Sequence, residues 1–116
     1  MPSERPTPAA AALAVTHYAL RLSASALADL ERLQDFLRTV GDPLEADLLD
    51  FVIDALNVLT HQPGIGRPVA GGQRELIISQ GASGYLARYR LDRLRSVVLV
   101  ARIRHQRESG YPPEQL

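Results

Sequence analysis

Neither cysteine nor lysine occurs among the 116 residues. Without cysteine there can be no disulfide framework, no thiolate metal site and no thiol nucleophile. Histidine is scarce: His17, His61 and His105 stand far apart, with none of the short spacings a zinc site uses. No metal or other cofactor is therefore expected. Apolar runs are short, and none approaches the roughly 18 residues read as a membrane span. A cytoplasmic chain with no membrane partner is expected. The opening segment, Met1 to Ala14, is rich in proline and alanine, and Glu4 precedes Arg5 where a secretion signal would carry a basic front end. It reads as a disordered extension ahead of a folded domain from Val15 to Leu116. One domain suits this length, with a core large enough to hold without staples.

The charges that are present are unevenly shared. Between Ser23 and Gln62 there are eight acids and two arginines, a balance of about −6. Between Arg67 and Arg107 there are nine arginines and two acids, about +7. The overall formal charge of zero hides this division. Biased coding could favour arginine over lysine, but it would not sort charge into halves.

Hydrophobic spacing gives the elements. Tyr18 to Leu22 alternates weakly and reads as a first strand. Ser23 or Ser25 can cap a helix in which Ala26, Leu30, Leu33 and Leu37 recur on one face, with Phe36 alongside, and which Gly41 ends. Asp42-Pro43-Leu44-Glu45 starts a second helix, with Asp42 as cap and Pro43 in the first turn. Leu48, Leu49, Val52, Ile53, Leu56 and Leu59 form its apolar stripe, and Gln62-Pro63-Gly64 stops it. The link between the two is short, so they form an antiparallel helical hairpin. Three strands follow, over Glu75 to Ile78, Tyr85 to Leu91 and Ser96 to Arg104. The order β-α-α-β-β-β predicts an α+β fold, the helical hairpin on one face of a small antiparallel sheet.

The last hairpin can be read for side-chain direction. Tyr85, Ala87, Tyr89 and Leu91 share one face of their strand, and Val97, Leu99, Ala101 and Ile103 form an apolar face on the next. Bringing those faces together sets odd residues against odd, which needs an odd loop such as Arg93-Leu94-Arg95; one residue more would flip the relation. In the odd register Arg88, Arg90, Arg102 and Arg104 converge on the face away from the helices, and Arg107 follows past the strand end. Each alone could be a solvated side chain. Together, with almost no acid nearby, they repel one another and call for an anionic partner: an acidic peptide, a phosphate backbone, or both.

Other polar residues have plainer readings. His105 continues the core-facing parity and reads as structural. Tyr111, ahead of Pro112-Pro113, can pin the tail. Arg67 reads as a donor fixing its loop. His61 sits at a helix C-terminus, and Tyr85 and Tyr89 face the core.

Three stretches together resemble the ParE/RelE toxin superfamily. They are the hairpin exit His61-Gln-Pro-Gly-Ile-Gly-Arg-Pro68, the strand Gly84-Tyr-Leu-Ala-Arg-Tyr-Arg-Leu91, and the exit Val100-Ala-Arg-Ile-Arg-His-Gln-Arg-Glu108. The resemblance covers Thr16 to Tyr111. It implies a toxin held inactive by a cognate antitoxin whose acidic, largely disordered segment wraps it; the two together bind their operator DNA. ParE-like members inhibit DNA gyrase by binding. RelE-like members cleave messenger RNA on the ribosome, which needs a base, an acid and cationic stabilisation of the phosphorane. Many RelE-like nucleases place lysines on the second toxin strand, where this chain has Arg74 and Glu75. Their C-terminal Arg is matched by Arg107, but Tyr111 falls at a shorter spacing. Another nuclease branch uses Glu, Arg, His and Tyr; Glu75, Arg104, His105 and Tyr111 supply those types in a different spacing. The missing lysines favour the ParE-like, non-catalytic branch, with the ribosomal nuclease and a non-toxic antitoxin-binding domain as alternatives. The resemblance leaves Arg88, Arg90, Arg102, Arg104 and Arg107 as the surface for antitoxin or target.

Overall fold

The computed structural model describes residues 17–80 and 83–113; the extension expected over Met1 to Ala14 lies outside them. Strand β1 is Ala19–Leu22. Ser23 then starts helix α1, Ala24–Val40, its hydroxyl accepting the Ala26 N–H and so satisfying one orphan donor of the first turn. Gly41 ends α1 at φ 73, a left-handed conformation that costs a residue without Cβ little.

The second helix is less regular than its stripe predicts. Asp42 caps as expected, accepting the Leu44 N–H, but the turn it opens is a 3-10 turn, Pro43–Asp47. The Glu45 carbonyl, which a continuous α-helix would offer to Leu49, instead accepts the Gln34 side-chain amide of α1. Helix α2 is Leu48–Leu56 and tightens into a second 3-10 turn over Asn57–Thr60. Leu49, expected in the stripe, is exposed, as is Phe36 on α1.

The remaining strands are β2 (Arg67–Val69), β3 (Gln73–Gln80), β4 (Ser83–Asp92) and β5 (Val97–His105). They make one five-stranded sheet in the order β1-β5-β4-β3-β2. The two helices pack on it in the expected element order, α+β. The sheet is mixed rather than purely antiparallel, because β1 runs parallel to β5 while the other pairs are antiparallel. A parallel neighbour needs a long crossover, and the helical hairpin with the strands after it provides one. Strand β2 escapes sequence reading because Pro68 interrupts it; an edge strand tolerates the missing N–H. The core lies between helices and sheet. Leu30, Leu33 and Leu37 of α1 and Leu48, Val52 and Leu56 of α2 meet Ile78, Tyr85, Ala87, Tyr89, Val98, Val100 and Ile103.

The register of β4 against β5 changes part-way. Tyr85 faces His105, Ala87 faces Ile103 and Arg88 faces Arg102, odd against odd and even against even. Nearer the turn Tyr89 faces Val100 and Leu91 faces Val98, odd against even. The turn is Arg93 to Ser96, four residues and not three, with Ser96 at φ 54. An even loop shifts the pairing by one, and a β-bulge with Ala101 as the extra residue shifts it back. The apolar odd face expected for β5 is therefore corrected: Val98 and Val100 join Ile103 in the core, and Leu99 pairs with Arg90 on the opposite side. Helix α1 satisfies the interrupted backbone. The Ser23 hydroxyl donates to the Ala101 carbonyl at 2.8 Å, and Asp29 Oδ2 accepts the Ile103 N–H at 2.8 Å.

Candidate functional site

Glu75, Arg88 and Arg102 stand side by side on the sheet face away from the helices, Arg88 being the register partner of both. Arg104 lies beyond Arg102, opposite Leu86. After β5 the chain turns back over this face and sets the Tyr111 ring among three guanidinium groups. The Cζ atoms of Arg88, Arg104 and Arg102 lie 4.7, 5.3 and 5.5 Å from the ring centroid. The ring's negative π faces attract those cations. The Nε atoms of Arg88 and Arg104 are buried without a hydrogen-bond acceptor among the described residues, so the ring is their main compensation. Backbone carbonyls hold the tail in place: Arg102 Nη2 donates to Pro112 and Arg104 Nη1 to Glu108, both at 2.6 Å.

Glu75 anchors this arrangement and is only 4% exposed. Its Oε1 accepts from Arg67 Nη2 at 2.6 Å and its Oε2 from the Tyr111 hydroxyl at 2.8 Å, with Arg88 Nη2 at 3.8 Å. Burial alone would raise the Glu75 pKa. The hydrogen bonds from Arg67 and Tyr111 and the charges of Arg67 and Arg88 outweigh it and hold the carboxyl below its usual 4.5. The Tyr111 hydroxyl is pushed up, first by burial and then by donating to the Glu75 carboxylate. A carboxyl depressed in the folded state binds its proton more readily when unfolded. Its stabilising effect is therefore complete above pH 4.5 and lost as pH falls through the lower folded value. Acidification below pH 4.5 should destabilise the wild-type protein more steeply than Glu75→Gln, read as denaturant midpoints across pH. Parallel curves would show that Glu75 is not a linked group.

The family model for the ParE toxin of type II toxin–antitoxin systems, parDE, matches residues 20–110. The chain belongs to the ParE toxin family. It is a type II toxin of the ParE/RelE superfamily. Toxin RelE3 of Caulobacter vibrioides is 30% identical to it over 89 residues, covering 77% of this chain and 95% of that protein. The fold is shared with the chromosomal ParDE toxin–antitoxin system of P. aeruginosa, at TM-score 0.62 and 20% identity, covering 78% of this chain and 97% of that one. It is shared too with the toxin–antitoxin complex RelBE2 of Mycobacterium tuberculosis, at TM-score 0.52 and 24% identity, covering 77% and 98%.

The toxin brings some of its sequence-predicted residues together and parts others. Glu75, Arg104 and Tyr111 meet under the tail. His105 does not join them: it pairs with Tyr85 on the helix side of the sheet, their rings edge to face at 5.1 Å. Its Nδ1 accepts the Arg107 N–H, and burial and then the Arg107 charge lower its pKa, disfavouring the protonated ring. Arg107 is exposed beyond the strand. Arg90 is exposed on the guanidinium face, at the turn end of β4 and away from Tyr111. Arg102 reaches round the open edge of β5 and donates through Nε and Nη2 to Asp29 at 2.8 and 3.0 Å. It is a tie between sheet and helix as much as part of a docking surface. Asp29 had no role in the sequence reading, yet it falls in the buried stripe of α1 between Ala26 and Leu33, where an acid needs a partner. That placement is the signal that would have found it. Among the described residues no group of three or more His, Asp or Glu side chains could hold a metal ion, and no helix is long and apolar enough to cross a membrane.

Proposed function

We propose that this toxin acts in the cytoplasm by binding DNA gyrase, without covalent chemistry, and that a cognate antitoxin with an acidic segment neutralises it on the guanidinium face. The observation that carries this reading is the state of the would-be nuclease groups. Both oxygens of Glu75 are taken, and its lowered pKa makes it a weak base. The Tyr111 hydroxyl is committed to that carboxylate and its raised pKa makes it a weak acid. His105, the remaining acid–base candidate, lies on the opposite side of the sheet. Arg88, Arg104 and Arg107 remain the surface offered to a carboxylate-rich segment, with Arg102 also serving the fold and Arg90 standing apart at the turn end of β4. Operator DNA would be reached with the antitoxin.

Induction without antitoxin tests the target. Filamentation with an SOS response is expected, together with loss of gyrase supercoiling when purified toxin is added. His105→Phe, which keeps a ring against Tyr85, should retain toxicity. A nuclease relying on His105 would lose about 100-fold or more. A rapid stop in translation with cleaved transcripts, abolished in His105→Phe, would replace this reading by ribosome-dependent mRNA cleavage. Absence of any growth defect with antitoxin binding intact would make the chain a non-toxic antitoxin-binding domain.

A further inference from the structure

We propose that the corner of the sheet beside the β4–β5 turn binds phosphate groups of a nucleic-acid backbone directly. A cleft of about 240 Å³ opens there, and Arg74, Arg90 and Arg93 line it with Gln73 and Gly72. None of the residues lining it is acidic. Arg74 Nη1 donates to two neutral acceptors, the carbonyls of Gly64 at 3.1 Å and Gly66 at 2.8 Å, which leave its charge uncancelled. The side chains of Arg90 and Arg93 have no ion pair or hydrogen bond among the described residues. The acid nearest in sequence to Arg90 and Arg93, Asp92, is committed to Arg95, accepting its N–H at 3.0 Å and its Nη1 at 2.9 Å. That same contact steadies the turn carrying Arg93.

Three cations around one acid-free cleft repel one another until an anion enters. Around Tyr111 the arginines are differently placed: Arg67 and Arg88 share Glu75, Arg102 has Asp29, and Arg104 lies against the Tyr111 ring. A planar carboxylate offers two oxygens and suits one or two guanidinium forks. A tetrahedral phosphate offers more acceptors in more directions and suits three. The volume falls below the roughly 300 Å³ at which small-molecule pockets begin, which fits one charged group of a larger ligand. No aromatic side chain lines the cleft to stack a base. Contact is therefore with the backbone and indifferent to sequence. The site adds a direct phosphate contact to operator binding through the antitoxin, and it does not depend on which enzyme the toxin inhibits.

The test is fluorescence anisotropy of the full-length toxin, freed from antitoxin, with a labelled DNA duplex of arbitrary sequence at low salt. Binding that weakens as salt rises is expected. Arg90→Gln with Arg93→Gln should weaken it about tenfold or more and reduce the slope of log affinity against log salt by about two. Arg38→Gln, on the acidic helical side, should change neither, and the thermal midpoint of each variant checks folding. Arg93→Gln alone, on the exposed turn, should cost at least about threefold should the double variant not fold. Absence of duplex binding by the wild type, or wild-type binding by the arginine variants, would overturn the proposal. A glutamate-rich peptide binding more tightly than the duplex through the same two arginines would also overturn it, assigning the cleft to carboxylates.

Discussion

Asp29→Ala should lower the unfolding free energy by about 3–5 kcal/mol, the usual loss when a buried ion pair is left with one partner. Asp29 is 4% exposed and serves four donors at once. Its oxygens take Arg102 Nε and Nη2, the Ile103 N–H at 2.8 Å, and Arg32 Nη2 at 3.3 Å. The Arg102 side chain is only 13% exposed, so removing the carboxylate takes an ion-pair partner from a desolvated cation and leaves the Ile103 N–H unpaired as well. The affected backbone is the edge of β5 just past the bulge, where β1 has ended and no other strand among the described residues covers it. Urea denaturation measures the loss. The double variant Asp29→Ala with Arg102→Ala should lose less than the sum of the single changes, because the two residues share one ion pair. A loss under about 1 kcal/mol for Asp29→Ala would mean that solvent already screens the pair. Charge reversal at Arg102 would consequently report on folding, and reversal at the exposed Arg107 is the cleaner probe of antitoxin docking.

Gly66→Ala is the second large effect, at about 3 kcal/mol. A Cβ at this position would lie 2.6 Å from the Tyr89 hydroxyl oxygen, 2.7 Å from Tyr89 Cε1 and 2.9 Å from the Glu75 carbonyl oxygen. None of these can swing aside, since Tyr89 is 0% exposed and the third atom is backbone in the sheet. The Tyr89 hydroxyl accepts the Gly66 N–H at 2.9 Å and donates to the Pro63 carbonyl at 2.7 Å, stitching the exit of the helical hairpin to the sheet. The added methyl must push the loop off the ring and break both bonds. Arg67, the next residue, would then lose its aim at Glu75, so the tail should loosen as well as the core. Tyr89→Phe keeps the packing and should cost less, about 1–2 kcal/mol. Denaturant midpoints rank the two, with tail release read by protease cleavage after Arg107. Wild-type stability in Gly66→Ala would show that the loop has slack the close contacts deny.

The charge division makes the guanidinium face legible in the sequence. Alternation along β4 puts Arg88 and Arg90 together whatever happens elsewhere. Placing β5 opposite them was harder. Parity gives two answers according to loop length, and both occur here, one on each side of Ala101. A bulge leaves no mark in a run such as Val97 to Ile103, where every residue on either face can be apolar or long-stemmed. Asp29 and the returning tail were hidden for a related reason: their partners lie 73 and 36 residues away in sequence.

By itself, the order of residues determined what depends on near neighbours. It set the two helices through their stripes and the caps at Ser23 and Asp42, the stops at Gly41 and Pro63, and the sorting of acids from arginines. Tertiary structure alone decided which of those arginines are matched and which stand unmatched. Coulomb energy and desolvation depend on distance and burial in space, and a chain fixes those only when α1, β5 and the tail close on one another.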